Sequence, residues 1–288
     1  MLTAPIAGSN RNPRGVVRVA ARVAVPTLAL LAGYLTSTTL LSLLGVPALP
    51  TALLTAALLL GVFALVVGWW EQRPAVELGR SGAGRELVGG LALGAALCAV
   101  TVGILALLGV YHVDGLNPLG VLWPAVASAV LAGVFEELLT RGVLFRVLER
   151  AQGTWVALAV SAAVFGALHL VNPGATVTGA AAIAVEAGLL LGLAYVATGR
   201  LWLPIGLHIA WNATTVGVFG SPASGVPFDG LLQGRLTGPS LLSGAGFGVD
   251  GSIVTVLACL GVAALLLRSA RRNGRIVARN GSPTAPRP

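Results

Sequence analysis

The stretch FEELLTRG, residues 135–142, places two adjacent glutamates and an arginine inside a long apolar run. An ionised side chain at the centre of a membrane helix costs about 2.5–3.5 kcal/mol on insertion scales, so each of these groups needs an explanation. Glu137 and Arg141 stand at i and i+4 with the acid first, the favourable order for a helical ion pair. Glu136 has no cation within reach on its own helix. The stretch therefore predicts a neutralised pair beside a glutamate that faces a polar cavity or another helix.

The remainder of the chain has the composition of a membrane protein. Of its 288 residues, 56% are hydrophobic and 10% are charged, against roughly 25% charged in a soluble domain. Apolar runs of about 20 residues, long enough to cross a bilayer as helices, recur from end to end. We therefore expect an all-α, multi-pass transmembrane helical bundle of about eight spans with a polar intramembrane active-site cavity. The predicted spans are 24–45, 51–70, 87–109, 121–141, 154–171, 177–197, 201–219 and 251–268.

These spans are predicted to form one transmembrane domain, residues 24–268. Residues 1–23 are predicted to be a basic cytoplasmic tail, and residues 269–288 a basic, disordered one. The segment 220–248 is rich in Gly, Ser and Pro, which predicts a long irregular outer loop.

The net charge of +8 comes from arginine without lysine, and it indicates topology. With a cytoplasmic N-terminus and eight spans, every arginine except Arg235 falls on, or leads into, the cytoplasmic side. We expect a bacterial plasma-membrane protein with both termini in the cytoplasm. No basic face with interleaved aromatic residues is evident, so no nucleic-acid partner is expected.

Four more polar residues lie inside apolar runs: His169, Glu186, His208 and Asn212. His208 and Asn212 stand at i and i+4, so they share one helix face. If the helices are straight, Glu136 and His169 are equally far from the turn that joins their spans. Glu186 and Asn212 are nearly equally far from theirs. These groups are therefore expected to converge at one depth.

Peptide hydrolysis needs a base that activates water, a group that holds it, and donors for the oxyanion. Glu136 suits the base, and His169 can hold the same water. His208 and Asn212 can donate to the oxyanion. The supporting positions are Glu137, Arg141 and Glu186, of which Glu186 either contacts substrate or pairs with a polar group such as Asn212.

The need for a cofactor stays open at this point. Either none is required, or a divalent metal such as zinc binds Glu136, His169 and His208, although the compact H-E-x-x-H helix is absent. A serine nucleophile is disfavoured. Ser81, Ser224 and Ser243 lie in loops that lack the strand–turn–helix context of a nucleophile elbow, and Ser161 lies on the helix of His169 itself.

Three motifs carry a resemblance to a known family: E-E-x-x-x-R from Glu136, F-x-x-x-H from Phe165 to His169, and H-x-x-x-N from His208 to Asn212. In this order, over about residues 122–215, the chain resembles the CAAX prenyl endopeptidase and bacteriocin-processing (CPBP, or abortive-infection) intramembrane proteases. The resemblance implies an endopeptidase, often called a metalloprotease, in which Glu136 and His169 activate water. The implied partners are the lipid bilayer and a membrane-embedded or lipid-anchored protein or peptide substrate.

Two other classes compete with the enzyme hypothesis. A non-catalytic immunity or scaffold protein could keep the same fold, although such a protein usually lacks a catalytic residue and none is missing here. A proton-coupled transporter could use Glu136, Glu186 and the histidines as a relay. Transporters often contain repeats with broken helices, and the sequence has no evident repeat.

Overall fold

The structure is a computed structural model that describes the chain from Pro13 to Arg279, with side chains from Val17 onward. The described part is almost entirely helical, with two short strands. The helices are α1 (Pro13–Leu43), α2 (Ala48–Trp70), α3 (Ala83–Leu107), α4 (Leu122–Glu137), α5 (Arg146–Gln152), α6 (Thr154–Leu168), α7 (Val177–Ile183), α8 (Leu189–Thr198), α9 (Trp202–Asn212), α10 (Ser240–Ser243) and α11 (Ile253–Arg272). The strands are β1 (Tyr111–Leu116) and β2 (Leu232–Leu236).

Seven helices within the described range are long and apolar enough to cross a membrane, which confirms a multi-pass helical bundle. The span predicted at 201–219 is helical too, but it is shorter than these seven because it runs only from Trp202 to Val218. The first helix starts at Pro13, inside the predicted tail, since proline is tolerated in the first turn of a helix. Residues 1–12 of that tail lie outside the described range.

Three wide, π-helical turns interrupt the spans beside their polar residues. They are Leu138–Phe145 between α4 and α5, Ala184–Gly188 between α7 and α8, and Ala213–Val218 after α9. The first follows Glu137, the second contains Glu186, and the third follows Asn212. Such turns are rare in proteins, and those that do occur are often found at functional sites.

The helix α9, which carries His208, packs backbone to backbone against α3. A Cβ at Gly94 of α3 would collide with the carbonyl oxygen of Leu207, and one at Gly90 with that of Leu203. Glycine in these places lets the two helices approach closely, as small residues do at membrane helix interfaces. The contact fixes α9 from the side opposite the polar residues of α4.

A network of charged residues covers the arginine-rich end of the bundle. Glu71, after α2, accepts hydrogen bonds from Arg146 Nη1 at 2.7 Å and Arg73 Nε at 2.9 Å. Burial disfavours the charge of Glu71, but these two arginines outweigh it and hold its pKa below the ordinary value. At the same end Arg200 pairs with Glu86. This network ties the α2–α3 loop to the ends of the later spans.

The segment after α11 is ordered by specific contacts where the sequence predicts a disordered tail. The helix continues to Arg272, and Arg275 Nη1 then donates to the Thr198 carbonyl at 3.1 Å. Thr154 and Val277 exchange two hydrogen bonds, because the first turn of α6 leaves backbone donors unpaired. Residues 280–288 lie outside the described range.

The opposite end is closed by the long loop, residues 219–252, between the last π-helical turn and α11. It contains β2, which pairs antiparallel with β1, Tyr111 opposite Leu236. The sequence predicts residues 220–248 to be irregular because they are rich in Gly, Ser and Pro, and the structure adds the short strand β2 to this loop. The two strands and the loop cover this end of the bundle.

Candidate active site

Glu136 lies within a few ångströms of both membrane histidines. Its Oε2 is 3.9 Å from His169 Nε2 and 4.0 Å from His208 Nε2. Within the described residues this Oε2 accepts no hydrogen bond, although the atom itself is buried. A water molecule can bridge polar atoms at such separations. Three predicted site residues from three different helical segments therefore meet at one place, where a water molecule beside them can contact each.

His169 is oriented by the backbone of its own helix. Its Nδ1 lies 2.7 Å from the Phe165 carbonyl oxygen. Because a carbonyl can only accept, Nδ1 carries a proton and donates it to this hydrogen bond, and Nε2 faces Glu136. The phenylalanine of the second motif thus contributes its carbonyl, and its ring packs 4.7 Å from the imidazole.

His208 is oriented by Glu137. Its Nδ1 lies 3.0 Å from Glu137 Oε1, so the Nδ1–H donates to the carboxylate and Nε2 faces Glu136. The helical spacing predicts an ion pair of Glu137 with Arg141 only. It does not predict the contact with His208, because this contact joins two separate spans. To donate to an oxyanion from Nε2, His208 must carry protons on both nitrogens.

The predicted ion pair between Glu137 and Arg141 is confirmed. Arg141 Nη1 donates to Glu137 Oε1 at 2.7 Å, and both side chains are fully buried. The guanidinium also donates to the carbonyls of Ala187 and Gly188, each at 3.1 Å. Both carbonyls belong to the wide turn Ala184–Gly188, which contains Glu186. The pair therefore links α4 to the α7–α8 span.

Asn212 and Glu186 line the same cavity but differ in their contacts. The side chain of Asn212 makes no hydrogen bond to any described residue and is half-buried, so its amide is free for a ligand. Glu186 is 2% exposed, and its Oε2 accepts a weak hydrogen bond from Cys259 Sγ at 3.6 Å. Glu186 is not hydrogen-bonded to Asn212, the partner suggested in the sequence analysis.

The cavity above these residues has a volume of about 990 Å³, at the upper end of the usual range for ligand sites. Its walls are mostly apolar, with Tyr34 and Phe135 stacked at 4.6 Å on one side. It extends from Glu136 to Val226 and Phe228 of the long loop. A space of this size and lining suits an extended, largely apolar peptide segment.

Two further cavity residues come from the long loop and were missed by sequence reasoning. Asp250 is almost fully buried, as is Ser224, whose hydroxyl donates to it at 2.8 Å. In the sequence, Ser224 stands out only as a disfavoured candidate nucleophile in a loop, and Asp250 belongs to none of the three motifs. A lone aspartate just before an apolar run was the only available signal.

The residues proposed as metal ligands do not form a ready zinc site. Neighbouring ligand atoms lie ~3.4 Å apart on a tetrahedral zinc with bonds of ~2.1 Å. The separations from Glu136 Oε2 to His169 Nε2 and His208 Nε2 are larger, 3.9 and 4.0 Å. Between Pro13 and Arg279 no group of three or more His, Cys, Asp or Glu side chains is placed to hold a metal ion.

Comparison with known proteins identifies the central part of the chain. Residues 118–214 match the family model described as Rce1-like, the type II CAAX prenyl endopeptidases. The chain matches no curated protein and no solved structure. The matched segment contains all three motifs and agrees with the CPBP resemblance. Residues 118–214, which carry Glu136, His169, His208 and Asn212, are therefore similar to the Rce1-like type II CAAX prenyl endopeptidases, and they lie within a multi-pass helical bundle.

Proposed function

We propose that this protein is an intramembrane endopeptidase that hydrolyses a peptide bond of a membrane-associated protein or peptide with water activated by Glu136 and His169. The observation that supports this most strongly is the approach of Glu136 Oε2 to the Nε2 atoms of both His169 and His208. A carboxylate whose Oε2 has no hydrogen-bond partner among the described residues, and which lies beside two imidazole rings, suits a base that removes a proton from water.

In the proposed mechanism a water molecule lies beside Glu136 and His169, within hydrogen-bonding distance of Glu136 Oε2 and His169 Nε2. Glu136 takes one proton from this water while the oxygen attacks the carbonyl carbon of the scissile bond. The carbonyl oxygen becomes an oxyanion and accepts hydrogen bonds from the Asn212 amide and from protonated His208. The proton held by Glu136, relayed through His169, then passes to the nitrogen of the leaving amine. The C–N bond breaks, and an acid and an amine are released.

Glu137 and Arg141 act in this scheme by holding His208. Glu137 Oε1 accepts from both His208 and Arg141, so one buried oxygen sets the orientation of the imidazole. This resembles the carboxylate that holds a catalytic histidine in hydrolytic triads. Glu186 keeps two roles as alternatives: a contact to substrate, or a polar partner within the cavity wall.

The mechanism is proposed without a metal ion, because Glu136 Oε2 lies farther from His169 Nε2 and from His208 Nε2 than neighbouring ligands of a tetrahedral zinc lie from each other. For orientation, the arginine-rich ends support a cytoplasmic location of both termini in a bacterial plasma membrane. The proposed substrate is membrane-embedded or lipid-anchored, since the apolar cavity lies within the bundle. The proposed domain division is one transmembrane domain, 24–268, flanked by basic tails.

Comparative membrane proteomics tests this function. Cells producing the Glu136→Ala or His169→Ala variant should accumulate uncleaved precursors that wild-type cells process, while the variant protein remains inserted and folded. His112→Ala is the matched control, because His112 lies in β1 at the far end and is hydrogen-bonded to Thr237. Full processing of the same precursors by Glu136→Ala would overturn the mechanism. A biological role retained by Glu136→Ala would instead identify a scaffold protein.

A further inference from the structure

Asp250 is a buried carboxylate at the end of the long loop, beyond the segment that matches the family model. Its Oδ1 accepts a hydrogen bond from Trp211 Nε1 at 2.9 Å. Its Oδ2 accepts from the Ser224 backbone N–H at 2.7 Å and from the Ser224 hydroxyl at 2.8 Å. Three donors from two segments thus converge on one side chain, which also lines the cavity.

Both hydrogen-bond partners of Asp250, Trp211 and Ser224, are connected to segments that carry proposed catalytic residues. Trp211 immediately precedes Asn212 on α9, the helix that also carries His208. On the other side, the Ser224 carbonyl accepts from Asn172 Nδ2 at 2.8 Å. Asn172 ends the short helical turn that begins at His169. The carboxylate therefore stands between the helix of the oxyanion donors and the segment that holds the water-activating histidine.

Ser224 is in a strained backbone conformation that its contacts with Asp250 stabilise. Its φ of +48° lies in the left-handed region, which residues with a side chain seldom adopt. Asp250 accepts from both the N–H and the O–H of this residue, and so holds the turn in place. Strained residues of this kind persist when surrounding contacts determine them, and they cluster at active sites.

We propose that Asp250 is a positioning residue that sets the distance between His169 and the His208–Asn212 pair across the cavity. The inference rests on the proposed function for its catalytic meaning, but the positioning itself is a property of the fold. It also explains why a carboxylate occupies this place: an asparagine would turn one amide donor towards Trp211 Nε1–H or the Ser224 N–H. For a peptide bound in the cavity, the attacking water at His169 and the oxyanion donors at His208 and Asn212 would then lie at a fixed distance from each other.

Two variants and one control test this role. Asp250→Asn removes the negative charge that accepts hydrogen bonds from Trp211 and Ser224 and replaces one accepting oxygen by a donor. Trp211→Phe removes only the hydrogen bond from α9 and keeps an aromatic ring. Trp202→Phe is the matched control, because Trp202 lies on the same helix and its Nε1 donates to the Gly79 carbonyl at the arginine-rich end. All three are compared with wild type for thermal stability and for cleavage of the precursor that accumulates in Glu136→Ala cells.

Histidine-selective ¹⁵N NMR gives a readout that does not depend on a substrate, since the chain has only 3 histidines. The ring nitrogen signals of His208 should shift in both variants, because the hydrogen bond from Trp211 to residue 250 is weakened in Asp250→Asn and lost in Trp211→Phe. Those of His169 should shift only in Asp250→Asn, where Ser224 is also released. The His112 signals should stay in place throughout, and Trp202→Phe should shift none of the three.

Cleavage should fall about 10- to 100-fold in Asp250→Asn and Trp211→Phe, as expected for small misplacements of catalytic groups, and stay at the wild-type level in Trp202→Phe. Wild-type cleavage together with unshifted His169 and His208 signals in a folded Asp250→Asn protein would overturn the proposal. If Asp250→Asn does not fold, Trp211→Phe decides the question in the same way through His208. Absence of any precursor in Glu136→Ala cells would count against the proposed function, and the NMR result would still decide the positioning role.

Discussion

Substituting each of the two adjacent glutamates by glutamine should separate catalysis from stability. Glu136→Gln removes a base but no hydrogen bond of Oε2, because this atom accepts none within the described residues, and the side chain is 31% exposed. Cleavage should fall about 10²- to 10⁴-fold, the usual contribution of a general base. The melting temperature should stay within a few degrees of wild type.

Glu137→Gln, in contrast, should lower the melting temperature, and it should also lower cleavage because Glu137 holds His208. Glu137 is fully buried, and its Oε1 accepts from Arg141 Nη1 at 2.7 Å and from His208 Nδ1 at 3.0 Å. Glutamine keeps the shape but leaves the guanidinium without its countercharge, and removing one partner of a buried pair costs ~3–5 kcal/mol. For a chain of this size each kcal/mol lowers the melting temperature by roughly 2–4 °C. The expected drop is therefore on the order of 10 °C.

The assay is thermal unfolding of the purified variants in detergent, followed by intrinsic tryptophan fluorescence, alongside cleavage of the accumulated precursor in membranes. The two neighbours share one helix turn and one chemical change, so each serves as the control for the other. An equal loss of melting temperature in both variants would refute the assignment of separate roles. So would an unchanged melting temperature in Glu137→Gln.

Two further predictions concern the metal and pH. Exhaustive chelation should leave cleavage unchanged and elemental analysis should find no bound metal; activity lost on chelation and restored by zinc would contradict the metal-free mechanism. The pKa of Glu71 is held below its ordinary value by Arg146 and Arg73, so its stabilising contribution is present above the ordinary carboxyl pKa and is lost as pH falls through the folded-state pKa. The difference in melting temperature between wild type and Glu71→Gln should therefore be largest near neutral pH and vanish in acid; a difference that does not change with pH would exclude this linkage.

The depth of the site could be predicted from sequence because membrane helices constrain it strongly. Counting residues from the turns predicts that Glu136 and His169 lie level, and the structure brings them to 3.9 Å. The ion pair of Glu137 with Arg141 follows from spacing within a single helix and is also confirmed. Local periodicity is sufficient for contacts of this kind.

Contacts between distant segments could not be predicted in the same way. The bond of His208 to Glu137 joins two spans whose rotation about their axes depends on packing, which one sequence does not specify. Asp250 and Ser224 lie in a loop without helical period, so no spacing rule applies to them. The wide turns were not predicted either, because the depth argument assumes straight α-helices.

These wide turns have a consequence for how the sequence can vary. A π-helical turn closes its hydrogen bond one residue later than an α-helical turn, so it accommodates one residue more than the regular helix. Each residue of an α-helix advances the direction of its side chain by about 100°. Deleting a single residue from a regular α-helix would therefore rotate one part of a span against the other by roughly that angle. A deletion within Leu138–Phe145 or Ala213–Val218 would instead convert the wide turn into a regular one and leave both flanking parts in place. Single-residue insertions and deletions at these places would be the most economical way for related sequences to change length inside a span while keeping the packed surface of the bundle.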